Sequence, residues 1–119
     1  MKNYKELVVW QNSMIVVERC YELVSKQPKM ERYGLGIQAT KAAVSIASNI
    51  AEGSSRSSDN DYARFLEISL GSSFELETQI TIIEKVYLEI EFDFKNILEE
   101  ITLVQKMLAS FISTLRASS

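Results

Sequence analysis

Residues 45 to 66, SIASNIAEGSSRSSDNDYARFL, set an amide, a carboxylate and two guanidiniums around a run of serines: Asn49, Glu52, Arg56 and Arg64. Two guanidiniums so spaced, with Lys41 earlier as a third cation, are groups that could contact phosphate. The same residues also have a purely structural reading. Asn49 lies on an apolar stripe, as an amide that backbone or a neighbouring helix would satisfy. Glu52 sits near a helix C-terminus, where the macrodipole disfavours a negative charge, so Arg56 or Arg64 is its expected partner.

Other chemistry is scarce. The chain has no histidine, which excludes Ser-His triads, Cys-His dyads, His-dependent general base catalysis and His-ligated zinc. A di-iron bundle in its usual form needs Glu-x-x-His pairs and is excluded too. No phosphate-binding glycine loop, dinucleotide fingerprint or metal-binding cysteine cluster occurs. Glu75 and Glu77 diverge on a helix, and Glu99 with Glu100 reads as a solvated face. Cys20, the only cysteine, reads as a small apolar residue on a helix. The expectation is a non-enzyme with no catalytic residues, no cofactor and no metal.

The elements that would position these residues are helices. One proline and four glycines in 119 residues leave few breakers, and they fall between periodic segments. From Tyr4 to Lys26, the apolar residues Leu7, Trp10, Met14, Val17, Tyr21 and Val24 recur at alternating threes and fours and predict one helix face. Asn3 with Glu6 resembles a capping box, and Pro28 marks the stop. A second helix is predicted from Tyr33 to Glu52 with the stripe Leu35, Ala39, Ala42, Ile46 and Asn49, and Gly53 follows as a left-handed C-cap. Ser58 caps a third helix, with Asp59 and Asp61 in its first turn. Its stripe runs Tyr62, Leu66, Ser69, Ser73, Leu76, Ile80, Ile83 and Tyr87 to about Glu89. Asp93 caps a fourth, with Phe94, Ile97, Ile101, Val104, Leu108, Phe111 and Leu115 in register. Short connections make sequential helices antiparallel, so the fold class is an all-α, up-down-up-down four-helix bundle, expected as a single domain over residues 1–119.

Apolar residues are 46% of the chain and charged residues 24%, which suits a folded protein that needs no disulfide or metal staple. No apolar run is long enough to span a bilayer, and MKNYKELVVW lacks the uninterrupted apolar stretch of a secretory signal, so a cytoplasmic protein is expected. Net charge is −3, a poor overall match to a polyanion. Its distribution is uneven: residues 1–64 carry nine Lys/Arg against seven Asp/Glu, while residues 65–119 carry four against nine. Topology gathers Lys2, Lys5, Arg56, Arg64 and Arg116 at one end against Glu6, Asp59 and Asp61, a modest cationic excess that symmetric assembly would multiply into a ring. Apolar residues off the predicted seams, among them Val8, Val9, Ile15, Val16, Leu98 and Ile112, exceed what one core needs and point to self-association.

Three segments, ELVVWQ, ERYGLGIQATKAAVSIASNIAEGSSR and GSSFELETQI, resemble the four-helix-bundle proteins called 23S rRNA intervening-sequence proteins, also labelled a ribosomal protein family. Matched positions are Trp10, Gln11, Glu31, Gly34, Leu35, Gln38, Ala42, Ser45, Ile46, Asn49, Ile50, Glu52, Gly53, Gly71, Ser72 and Glu75. The resemblance implies a left-turning antiparallel bundle that assembles as a homopentameric ring, similar in shape to accessory proteins of diversity-generating retroelements. Those accessory proteins are taken to bind nucleic acid and a reverse transcriptase. The family takes its name from genes inside intervening sequences of large-subunit rRNA, and the leading expectation is that the chain partners with its own copies and with RNA or an RNA-protein complex, bound through Lys41, Arg56 and Arg64. The alternative is a protein-interaction module with no nucleic-acid role. This chain departs from the family pattern where two adjacent basic residues are frequent, having Thr40 before Lys41, and Ala47 stands in place of a common proline.

Overall fold

The computed structural model describes residues 3–29 and 32–118. Two of the residues singled out above, Lys2 and Glu31, lie outside them. Four long helices dominate: α1 (Val8–Ser25), α2 (Ile37–Ser54), α3 (Asp59–Val86) and α4 (Phe94–Ala117). The chain is all-α, and its principal extents are 48 × 22 × 20 Å, the long one close to the roughly 1.5 Å per residue rise of α3.

Each helix packs on its neighbours in chain order, and α4 returns to α1. Pairings fix the directions. Ser45 of α2 meets Ser72 of α3, and further along α2 Gly53 meets Tyr62 and Phe65. Glu77 meets Gln105 of α4, while Glu67 meets Arg116. Each pair runs antiparallel, giving the up-down-up-down bundle that the short connections dictate.

The predicted caps of the third and fourth helices form. Ser58 Oγ accepts a hydrogen bond from Asp61 N at 3.1 Å, and Asp93 Oδ1 accepts one from Asn96 N at 3.0 Å. Both satisfy amides that have no partner inside the helix, each worth about 1 kcal/mol. The core faces of these helices are also as predicted: Leu66, Ser69, Ser73, Leu76, Ile80 and Ile83 on α3, and Ile97, Ile101, Val104 and Leu108 on α4, are buried. Phe111 is half-buried, edge-on to Tyr62 with ring centroids 5.1 Å apart.

Three details differ from the sequence expectation. The first helix is broken near its start: Asn3 caps only a 3-10 turn, Tyr4–Glu6, and Leu7 is extended before α1 begins. The face that α1 turns inward is also rotated by one residue, about 100°. Val9, Ser13, Val16, Cys20, Leu23 and Val24 are buried, while Leu7, Trp10, Met14 and Val17 are half-buried and Tyr21 is 54% exposed. Finally, Gly53 is not a left-handed cap. The helix runs on to Ser54 and ends at Ser55 in a right-handed conformation, and no described glycine has positive φ. What Gly53 allows is close approach, because a Cβ there would stand 2.9 Å from Phe65 Cβ and from Tyr62 Cδ1.

Candidate functional site

The opening stretch becomes the tight connection of α2 to α3, and Gly53 determines its chemistry. With no Cβ on Gly53, Phe65 lies hard against α2, half-buried. Its ring then carries two cations: the Arg56 guanidinium carbon lies 4.4 Å from the ring centroid and that of Arg64 5.0 Å. A guanidinium over an aromatic face is held by the ring quadrupole, at about 0.5–1 kcal/mol where exposed. Each arginine also has a carboxylate: Arg56 Nη2 is 2.8 Å from Glu52 Oε1, and Arg64 Nη2 is 3.5 Å from Asp61 Oδ1. Glu52 thus has the Arg56 partner that its place near the helix end calls for. All four side chains are more than a third exposed, so these pairs are worth little and exchange readily.

The other predicted cations have partners or places of their own. Arg116 donates to Glu67 Oε1 at 2.6 Å and to Asn60 Oδ1 at 3.0 Å, tying the end of α4 to the start of α3. Lys41 is fifteen residues before Arg56, about 22 Å along the helix axis. It is exposed, beside Tyr21, Thr40, Val44 and Ser45 in a shallow depression between α1 and α2. The structure brings Arg56 and Arg64 together and leaves Lys41 elsewhere.

Asn49 is half-buried at the edge of the α2–α3 seam. Its Nδ2 donates to Ser45 O at 2.9 Å and to Ser45 Oγ at 3.0 Å, and Ser45 Oγ is 2.8 Å from Ser72 Oγ. Ser69 Oγ donates to Ile46 O at 2.8 Å deeper in the same seam. This is the satisfied amide of the structural reading. Gln11 Nε2 donates to Lys5 O at 2.9 Å and holds the 3-10 turn over α1, where Tyr4 meets Trp10 edge-on at 5.3 Å. Gly34, Gln38, Gly71 and Glu75 are exposed.

Burial pushes the Cys20 thiol up to about 12, so it stays protonated and unreactive near neutral pH. Burial also raises the Tyr62 hydroxyl. Among the described residues no three His, Cys, Asp or Glu side chains are grouped to hold a metal, and no helix is long and apolar enough to cross a membrane.

The feature that periodicity missed is a groove between α1 and α2. Trp10, Met14 and Val17 on one wall and Val44, Ala47 and Ala51 on the other line a hollow open to solvent. Its sequence signal is the doubling of apolar stripes on α1: one stripe fills the core, and the other is left over.

No curated protein matches the chain. Among solved structures it is similar to a 1.70 Å crystal structure from Bacteroides thetaiotaomicron, a protein with unknown function from the S23 ribosomal protein family, with a TM-score of 0.80 and 22% identity over 89% of this chain and 96% of that one. At that identity the likeness concerns the fold. The family model for 23S rRNA-intervening sequence proteins matches residues 5–110, a span that takes in α1, α2, α3, most of α4, the α2–α3 seam and the arginine cluster, and the chain belongs to that family.

Proposed function

We propose that the chain is a non-enzymatic subunit of a cytoplasmic homo-oligomer, a pentameric ring, that acts as a scaffold for RNA or an RNA-protein complex. The observation that carries the assembly is the groove: half-buried Trp10, Met14 and Val17 and the exposed Val44 line an apolar hollow on the flank of the core, and apolar surface open to solvent marks an interaction site. The ring size follows the sequence resemblance. The RNA contact rests on Arg56 and Arg64, gathered on Phe65 with only weak exposed carboxylate partners. Rotational symmetry would repeat that cluster once per subunit, and phosphate recognition begins with such guanidiniums.

One observation favours a second reading, a module for protein partners alone: each arginine of the cluster already faces a carboxylate. Light scattering followed by titration with structured RNA at low and moderate salt separates the two. A mass of about five chains, with RNA binding that weakens as salt rises and is lost in Arg56→Glu/Arg64→Glu, supports the scaffold. An oligomer that binds no RNA at low salt supports the protein-partner reading. A monomer removes the assembly from both.

A further inference from the structure

We propose that the α1–α2 groove of one copy is filled by the outer ridge of α3 from a second copy, so that chains join head to tail through two unlike faces. This rests on the self-association reading and names its contact.

The ridge follows from spacing. Ile68, Gly71, Glu75, Ile82 and Val86 share one face of α3, turned away from the buried Leu66, Ser73 and Ile80. Ile68 is 45% exposed, Ile82 42% and Val86 61%. Gly71 sits in the middle, where an added Cβ would meet nothing within 4 Å. A mid-helix glycine costs about 1 kcal/mol relative to alanine, and no contact inside the chain accounts for it. A neighbouring helix laid close across the ridge would.

Shape and charge select a second copy as occupant. The groove is concave and the ridge convex. From Trp10 to Tyr21 the groove runs about 16 Å, and from Ile68 to Ile82 the ridge runs about 21 Å. The one charge lining the groove and its continuation past Tyr21 is Lys41, whereas α3 holds six acidic residues against two basic ones, with Glu75 at the centre of the ridge. Neither Lys41 nor Glu75 is in an ion pair among the described residues. A groove-to-groove dimer would set one hollow against another, bring like charges together and leave the ridge bare. A heterologous contact joins unlike surfaces and propagates until it closes.

The test uses Val44→Glu in the groove and Ile82→Glu on the ridge, both at partly exposed positions, with helicity and melting temperature measured to establish folding. Ser48→Arg and Val86→Asp repeat it at a second point on each face. Each single variant is expected to fall to the 13.5 kDa of one chain. An equimolar mixture is expected to form a species of twice that mass, because the intact ridge of one variant fits the intact groove of the other and growth then stops. If a folded single variant keeps the wild-type mass, or the mixture stays monomeric, the pairing is overturned while self-association stands. If the wild type is itself a monomer, both are overturned.

Discussion

Between α2 and α3 the facing residues are Ser45, Ser69, Ser72 and Gly53; between α1 and α2 they are Trp10, Met14, Val17 and Val44. Small side chains let the first pair of helices close until backbone carbonyls and hydroxyls bond across the seam. Bulky ones hold the second pair apart and leave a groove. Helix spacing follows the side chains at the contact, so one bundle contains a sealed seam that gives rigidity and an open one that offers surface. The arginine cluster belongs to the sealed seam, since its geometry depends on how closely Phe65 approaches Gly53.

Substitutions that strike the two seams unequally sharpen this contrast. The largest difference is expected between Ile46→Ala and Val44→Ala. Ile46 is fully buried beside the sealed seam and Val44 is 40% exposed at the groove. Denaturant unfolding of the chain at a dilution where it is monomeric should show a loss of about 2–5 kcal/mol for the first and under about 1 kcal/mol for the second; equal losses would mean that the groove is shut within one chain. Next come two glycines with opposite signs. Gly53→Ala forces a Cβ to within 2.9 Å of Phe65 Cβ. Even with the helix-propensity gain of alanine, a net loss of about 1–2 kcal/mol is expected. Gly71→Ala, in open space, is expected to stabilise an isolated chain by about 0.5–1 kcal/mol, and thermal melting of the two variants against wild type reads both signs. The smallest effect is that of Ser72→Ala, which removes the hydroxyl partner of Ser45 at the half-exposed edge of the seam. A loss of about 0.5–1.5 kcal/mol is expected, with a double-mutant cycle against Asn49→Ala showing coupling through Ser45.

Legibility differed from helix to helix for a definite reason. On α3 and α4 one stripe of apolar and small residues runs unbroken at threes and fours, whereas the apolar residues outside it, such as Ile68, Ile82 and Val86, are interrupted by Gly71 and Glu75, so one phase dominated, and Ser58 and Asp93 are the oxygen-bearing residues that open such helices. On α1 both candidate stripes are apolar, and a period of 3.6 cannot choose between them. Neighbours chose: burying Val16 and Cys20 left Trp10 half-buried and Tyr21 exposed. Gly53 misled in another way, because a glycine near a helix end has the same sequence appearance whether it takes positive φ or yields space. The Arg56–Glu52 pair was readable from i,i+4 spacing, whereas the placement of Arg56 and Arg64 on one ring was not, since Arg56 lies in the connection after α2 while Arg64 and Phe65 lie on α3.

Local order determined the helices of this protein, their number and sequence, most of their caps and their antiparallel course, because hydrogen bonding, capping and short connections act over a few residues. Only the tertiary structure decided which stripe of α1 went inward, how near α3 came to α2 and where the leftover apolar surface lies, because those outcomes depend on the volumes of side chains far apart in the chain competing for the same space.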